Sequence, residues 1–371
     1  MVDSVRILPV EDEATRREFL SFPYRLYRRH PYWVPPLRIS QKELFDPRRH
    51  PFHRHATMQR FLATRSARTV GRIAAILDPR YNEFQRENAG FFGFLEMIED
   101  AAVASALLET ARAWLRQQGA VVIRGPVNPS TNYECGLLVD GFDSSPRVMM
   151  TYNYPYYARL VEQAGFRKAK DLLAYDVSRD SVRTARVSAL LERASCNGMR
   201  IRMVRLSQLD QEVEFAWRLY NSAWARNWGF VPMTREEFLH HAREMKPILV
   251  PELALFAEVR DEIAGFALAV PDVNEALRHV SGRLFPFGLL KLLWHKRHIR
   301  HIRVVLLGVR DDFRGTAVSA ALYASLIREG MRLNYLGAEC SWVLEDNVLM
   351  RRAIESLGGV VSKTYRIYEG K

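Results

Sequence analysis

The stretch VVLLGVRDDFRGTAVSAALYASLIREG, residues 304–330, decides the fold because it joins a buried strand to an amphipathic helix through a short turn. Residues 304–309 are apolar without interruption, which is typical of a central strand. The helix predicted over 317–329 repeats its apolar residues at helical spacing, on the face formed by Val318, Ala321, Leu322 and Leu326. The stretch therefore predicts a strand, a turn and a helix of an α/β domain.

The turn itself has the features of an anion site. It carries Arg310, Arg314 and Gly315, and the helix opens at Thr316 or Ala317. Unpaired N–H groups and the positive end of a helix dipole converge at such a junction and can bind a pyrophosphate. An ordinary strand-turn-helix packing unit is the alternative interpretation.

The segment resembles motif A of the GNAT superfamily of acyl-CoA N-acyltransferases. That motif reads Arg or Gln, two residues, Gly, one residue, then Gly or Ala; aligned on Arg314, this chain has Ala317 at the first glycine and Ser319 at the second. The resemblance implies that the preceding strand pairs with pantetheine and that the turn holds acyl-CoA. The implied cofactor-binding residues are Leu307, Val309, Arg310, Arg314, Gly315, Thr316, Ala317, Val318, Ser319 and, from the next motif, Asn347.

The continuation SWVLEDNVLMRRAIESLGGVVSKTYRIYE, residues 341–369, resembles GNAT motif B. There, an Asn such as Asn347 lies beside the CoA arm, and a Tyr such as Tyr365 can protonate the departing thiolate. The resemblance thus implies a catalytic role for Tyr365.

The order of predicted strands and helices occurs twice. We therefore predict an α/β fold with mixed (α+β) sheets in two tandem GNAT-like domains, at 1–178 and 199–371, with a helical connector at 179–198. The equivalent junction of the first half, FLEMIEDAAVAS at 94–105, carries Glu96, Glu99 and Asp100. Because carboxylates repel a pyrophosphate, we expect that the first domain does not bind CoA in this way.

The first domain is instead expected to supply the acceptor side. Polar and aromatic residues that suit a pocket for a hydroxylated or amino substrate crowd its loops: Asn128, Ser130, Asn132, Tyr133, Tyr152, Asn153 and Tyr156. Acyl transfer to an amine needs a base, and a carboxylate with a pKa raised by burial can serve. Glu134 is the first candidate, followed by Glu345 and Asp346. The alternative is that these residues are only turn formers.

The segment RLFPFGLLKLLWHKRHIRHIR, residues 283–303, sets an apolar half beside a basic half. This composition fits a segment that lies in a membrane interface with its basic part on acidic head groups. A buried helix with a solvated end is the alternative. Nucleic-acid binding is a third interpretation, but no RNP-like, helix-turn-helix or zinc-finger signature accompanies the charge.

Composition limits the remaining classes. The 371 residues include 54 Lys and Arg against 42 Asp and Glu, and the resulting charge of +12 attracts polyanions. Cys135, Cys196 and Cys340 are far apart, which indicates neither a disulfide framework nor a zinc ribbon. No secretory signal or membrane-spanning run is visible, so we expect a cytoplasmic protein, with peripheral contact to the inner membrane face.

The loop HPFHRH brings His50, His53 and His55 together in sequence. Metal binding remains open there, but no carboxylate or Cys partner has suggestive spacing, and exposed histidines in a Pro-rich loop are common. We predict no metal.

Together these features predict an acyl-CoA-dependent N-acyltransferase acting on a lipid amine. The chain resembles bacterial ceramide synthases of the acyltransferase type in length, duplication and basic character, which implies a long-chain acyl donor and a sphingoid-type amine. Two alternatives stay open: a Fem-type aminoacyl-tRNA-dependent transferase, and a non-catalytic CoA-binding or ligand-binding regulatory protein. The acyl length, the acceptor and the oligomeric state are left open.

Overall fold

The computed structural model describes residues 4–196 and 198–371, which divide into two compact units. Unit 1 comprises the described residues up to Leu172 together with Leu277–Leu292 and Lys363–Lys371. Unit 2 comprises Leu173–Ala276 and Leu293–Ser362. The predicted domain limits at 178 and 198 stay a prediction.

The chain alternates strands and helices. The strands are β1 (Arg6–Pro9), β2 (Thr57–Arg65), β3 (Arg68–Leu77), β4 (Ala89–Met97), β5 (Val122–Gly125), β6 (Val127–Asn128), β7 (Glu134–Cys135), β8 (Leu137–Asp140), β9 (Arg167–Ser178), β10 (Met199–Met203), β11 (Ala254–Val259), β12 (Glu262–Pro271), β13 (His301–Val309), β14 (Gly337–Leu344) and β15 (Val360–Gly370). The helices are α1 (Glu13–Leu26), α2 (Arg38–Leu44), α3 (Pro79–Gln85), α4 (Ala101–Gln117), α5 (Tyr156–Gln163), α6 (Thr184–Cys196), α7 (Leu209–Ala223), α8 (Arg235–Met245), α9 (Asn274–Leu277), α10 (Gly288–Lys296), α11 (Val318–Arg332) and α12 (Val348–Ser356).

Unit 1 is built on a mixed sheet in the order β1-β2-β3-β4-β5-β15, with β8 also paired to β15. The β4–β5 pair is parallel and the other pairs are antiparallel. Helix α4 covers the sheet with the apolar face that the sequence predicts, including the fully buried Leu107 and Leu115. Each such leucine stabilises the unit by about 2 kcal/mol.

Unit 2 repeats this architecture with a mixed sheet in the order β14-β13-β12-β11-β10. Its β13–β14 pair is parallel, and the remaining pairs are antiparallel. Helix α11 buries Val318, Leu322 and Leu326 in the core of this unit, as the sequence predicts. The predicted α/β class with mixed sheets is therefore confirmed.

The segment predicted as a helical connector contains α6, which belongs to unit 2 and packs against α11 through the buried Val187. Among the described residues, none of the helices combines the length and the apolar character that crossing a bilayer requires.

Candidate functional site

The parallel strands β13 and β14 of unit 2 are paired over only part of their length. The ladder joins His301–Val304 to Gly337–Cys340, while β13 continues to Val309 and β14 to Leu344. Leu307 and Val309 lie on this continuation of β13. Along this stretch the β14-facing edge of β13 is outside that ladder and is available to an extended ligand.

The turn after β13 leads into the start of α11 with little side-chain cover. Ala317 is the N-cap residue and its methyl group cannot accept a hydrogen bond. Across the described chain, no protein acceptor takes the amide N–H groups of Ser319 and Ala320, the second and third residues of the helix. Gly315 has a φ of +77°, and a side chain there would meet open space. The predicted small residues thus surround free, positively polarised amides.

The two arginines of this turn are engaged by carboxylates. Arg310 donates to Asp312 at 2.7 Å and to Glu262 at 2.6 Å, and these hydrogen bonds raise the pKa of the guanidinium above its usual value. Arg314 pairs with Asp311 at 2.8 Å and donates to the carbonyl oxygen of Ala223 at 2.6 Å. Thr316 donates its hydroxyl to the carbonyl of Phe313. A phosphate at this turn would meet free amides first and would compete with Asp311 and Asp312 for the arginines.

A buried polar network that the sequence interpretation missed lies where β13 and β14 begin to diverge. Arg303 and Glu339 are register partners in the ladder, and both are buried. Arg303 donates from Nε to the Ser341 hydroxyl at 2.8 Å, and that hydroxyl donates to Glu339 Oε1 at 2.6 Å. Two charged residues inside strands that are otherwise apolar were the available signal, because a buried charge needs a partner.

The loop after β14 carries three predicted residues. Asn347 caps α12 by accepting from the amide of Met350 at 3.2 Å. Glu345 is partly buried, and its carbonyl accepts from Arg351 at 2.8 Å, whereas Asp346 is exposed. These residues follow directly on the strand that diverges from β13.

Tyr365 lies in the part of β15 that belongs to unit 1, whereas the β13–α11 turn belongs to unit 2. Its side chain is completely buried, it pairs in register with Leu138, and it packs against Gly136.

The predicted acceptor residues of unit 1 make many of their contacts with the backbone. Asn128 accepts from the amide of Phe94 on β4 at 2.6 Å. Asn153 is buried and accepts from the amide of Leu138 at 2.7 Å while donating back to its carbonyl at 3.1 Å. The side chains of Asn128 and Asn153 therefore tie the segments that carry them to neighbouring strands.

Two tyrosines of the predicted acceptor residues also make hydrogen bonds to the backbone. Tyr152 donates to the carbonyl of Phe142 at 2.9 Å, and Tyr156 donates to that of Met97 at 2.7 Å. Burial raises the pKa of Tyr152 to about 12.

The remaining acceptor candidates form the turn between β6 and β7. The hydroxyl of Ser130 accepts from the amide of Asn132 at 3.2 Å, and Tyr133 packs against the rings of His50 and Phe52. Glu134 is exposed on β7, opposite Asn128. The structure thus places Asn128, Ser130, Asn132, Tyr133 and Glu134 along the β6–β7 turn with Glu134 exposed, whereas Tyr152, Asn153 and Tyr156 lie on the segment that follows β8.

Unit 1 also holds a partly buried carboxylate at the end of β4. Glu96 accepts from Tyr27 at 2.6 Å and from Tyr157 at 2.9 Å, and Arg72 lies 4.0 Å away. Burial raises the pKa of Glu96 above its ordinary value. The sequence interpretation treated this residue only as a repulsive charge and missed its tyrosine partners, which come from distant segments.

The histidines of the HPFHRH loop have separate surroundings. His53 contacts the carbonyl of Leu44 at 2.9 Å, and His55 contacts Asp78 at 3.2 Å. In the ranges that the structure describes, no three potential metal ligands come together. Cys135 and Cys340 are buried, and burial raises the pKa of Cys340 to about 12.

Comparison with known proteins identifies relatives that match nearly the full length of the chain. The sequence is 37% identical over 372 residues to the bacterial ceramide synthase of Caulobacter vibrioides, covering 98% of this chain and 96% of that protein. It is 34% identical over 359 residues to protein YghO of Escherichia coli, covering 95% and 92%. A tandem GNAT protein from the clavulanic acid biosynthesis pathway shares the fold, with a TM-score of 0.58 at 13% identity over 99% of this chain and 98% of that one. No family model matches the chain.

Proposed function

Because the chain belongs to the family of tandem GNAT acyltransferases that includes the bacterial ceramide synthase, we propose that it transfers a long-chain acyl group from acyl-CoA to a sphingoid-type lipid amine. A ceramide is the amide of a fatty acid and a sphingoid base, so the relative's name supplies this choice of donor and acceptor. Full-length similarity to that protein at 37% identity supports the same reaction class here.

The donor site is assigned to unit 2 on one observation: the start of α11 offers free amides beside the diverging ends of β13 and β14. Amides at a helix N-terminus are matched to phosphate oxygens, and an unpaired strand edge is matched to the two amides of a pantetheine arm. The turn residues Arg314 to Ser319 would hold the phosphates, and Leu307 and Val309 would border the arm.

In the reaction, the neutral acceptor amine attacks the thioester carbonyl, the C–S bond breaks, and the thiolate leaves. The proton lost by the amine needs a base, and the thiolate needs a proton. We assign the base to one of two carboxylates, Glu134 on its exposed strand or Glu339 in its buried network, with Glu345 behind them. Tyr365 stays the candidate for protonating the thiolate.

Purified protein incubated with palmitoyl-CoA and a panel of amines, with release of free thiol as the readout, tests this function. We expect release that depends on a sphingoid base such as sphinganine. Release only with charged tRNA would instead support a Fem-type transferase, and CoA binding without any release would support a regulatory protein.

Charge reversal tests the donor site. Arg314→Glu should abolish CoA binding, measured by calorimetry, because it adds a negative charge where the phosphates would lie. Arg332→Glu, at the other end of α11, is the matched control and should leave the affinity unchanged. Equal affinities in both variants would refute this placement.

Amide substitution separates the two bases. If Glu134 is the base, Glu134→Gln should lower kcat while the CoA affinity stays constant. If Glu339 is the base, Glu339→Gln should have that effect. Full activity in either variant removes that residue as the base.

A further inference from the structure

Helix α10 and the loop before it turn large apolar side chains outward. Phe285 is 86% exposed, Leu290 is 65% exposed and Trp294 is 60% exposed. Phe287, Leu289 and Leu293 are exposed as well. The alternative of a buried helix is therefore excluded for these residues, and an apolar patch of this kind on a soluble protein marks an interaction site.

The apolar residues occupy one side of the helix. At 100° per residue, Leu289, Leu290, Leu293 and Trp294 fall within one arc, and all four are exposed. Gly288 is buried, and Leu292 and His295 are partly buried on the opposite side. A helix on a globular surface normally directs its polar face to solvent, so this arrangement is inverted.

The segment is held in this orientation by its own contacts. The amide of Leu289 donates to the carbonyl of Leu284 at 2.7 Å, which folds the loop back onto the helix start. Gly288 permits this closure, because a Cβ there would clash with the carbonyl of Arg283. At the other end, the Lys296 ammonium donates to the carbonyl of Pro247 at 2.6 Å. Each end of the helix is therefore held by a hydrogen bond.

Exposed basic residues lie among and beside the apolar residues in sequence. Arg283, Lys291, Arg297 and Arg300 are exposed, and within residues 4–196 and 198–371 no carboxylate forms a salt bridge with any of them. Cations without partners beside exposed Phe, Leu and Trp match the two layers of a bilayer interface, where acidic head groups cover the acyl chains.

We propose that α10 and its preceding loop, residues 283–297, form a docking surface that inserts its apolar face into the head-group region of an anionic bilayer. The nine residues of α10 rise about 14 Å, against a hydrocarbon core of about 30 Å, so the helix lies in the interface instead of crossing it. Trp294 occupies the position at which tryptophan is enriched, between head groups and chains.

A second copy of this chain fits the surface less well. A two-fold interface places the same patch against itself, which would bring the unpaired cations of both copies together. An acidic lipid surface, in contrast, complements them.

Vesicle co-sedimentation tests this proposal without any acyl donor, so its outcome is independent of the acyltransferase assignment. The full chain should bind vesicles of equal parts phosphatidylglycerol and phosphatidylcholine, and should bind pure phosphatidylcholine at least tenfold more weakly. The double variant Leu290→Glu with Leu293→Glu should lose at least tenfold in affinity for the anionic vesicles. Leu206→Glu replaces an exposed leucine outside the segment and should bind as the wild type does.

A charge variant, Lys291→Glu with Arg297→Glu, should also weaken binding to anionic vesicles and reduce its dependence on salt. The proposal would be overturned if the wild-type protein does not bind anionic vesicles. It would also be overturned if the apolar-face variants bind these vesicles as well as the wild type does. Sedimentation velocity supplies the other decisive outcome: self-association that disappears in Leu290→Glu with Leu293→Glu would identify the face as a contact between copies and would also overturn it.

Discussion

The junction between β4 and α4 in unit 1 and that between β13 and α11 in unit 2 occupy the same place in the order of elements but treat their helix amides differently. In unit 1, Asp100 is the N-cap and accepts from the amides of Ala102 at 2.9 Å and Val103 at 3.1 Å. In unit 2, the N-cap is Ala317, which offers those positions no acceptor. Unit 1 supplies an anion from its own chain at the place where unit 2 leaves room for one.

The strands that precede these helices, β4 in unit 1 and β13 in unit 2, differ in the same way as the helix caps. Beyond the β4–β5 ladder, the short strand β6 lies against β4: Asn128 accepts from the amide of Phe94, and the carbonyl of Val127 sits where a Cβ on Gly93 would be. The corresponding continuation of β13 lies outside the ladder to β14. Unit 1 thus fills with its own backbone and side chains the helix start and the strand edge that stay open in unit 2, and on this ground we propose that unit 1 holds no donor site.

Among the changes that test this comparison, placing the unit 1 cap residue at the start of α11 should have the largest effect. Ala317→Asp should satisfy the free amides of α11 and place a carboxylate at the phosphate position, so CoA affinity should fall about a hundredfold, which is roughly 3 kcal/mol. Calorimetric titration with CoA measures this. Ala317→Asn forms a similar cap without the charge and should lose less. Unchanged affinity in both variants would show that the phosphates bind elsewhere.

Removing the Asn128 side chain from its contact with β4 should lower the free energy of unfolding and leave the CoA affinity unchanged. Asn128→Ala leaves the amide of Phe94 without its acceptor, which destabilises the protein by about 2 kcal/mol. Urea unfolding gives this number, and Asn128→Asp, which keeps an acceptor oxygen, should lose less. A second CoA site in Asn128→Ala would contradict the comparison, since it would mean that unit 1 still binds CoA once the Asn128 side chain is removed from β4.

The sequence predicts these elements well where the causes are local. The apolar face of α11 and the Gly315 turn follow from spacings within a few residues. The acidic residues beside Arg310 were also visible in the sequence, but the pairing of Arg310 with Glu262 joins positions 48 residues apart. Register between strands decides that contact, and a single sequence does not specify it.

The same limit applies to the side chains of the candidate sites. Asn128 and Asn153 have the composition of a substrate pocket, yet their partners are backbone groups on other strands. The Arg303 and Glu339 pair became visible only once β13 and β14 were set in parallel register. Polar residue types predict that a contact will be made, whereas the fold determines with which group.

Glu96 in unit 1 predicts that the free energy of unfolding depends on pH. Since burial raises the pKa of Glu96 in the folded state, the folded protein keeps this proton to higher pH than the unfolded chain does. The stability contribution is therefore fully present below the ordinary value near 4.5 and is lost as the pH rises through the folded-state pKa. Glu96→Gln should flatten this dependence by up to about 1.4 kcal/mol per pH unit. Urea unfolding at several pH values measures it, and equal slopes would contradict the assignment.

The smallest effect is expected from uncapping α4. Asp100→Ala removes the acceptor for the amides of Ala102 and Val103 and also the 2.7 Å hydrogen bond from Arg65, and loss of an N-cap destabilises a helix by about 1 kcal/mol. Asp100→Asn keeps the cap and loses only the ion pair, so urea unfolding of the two variants separates the contributions. Neither variant should gain a second CoA site in unit 1, because β6 still lies against β4. If Asp100→Ala alone gained a second CoA site, the helix cap and not the contact of β6 with β4 would be what distinguishes the two units.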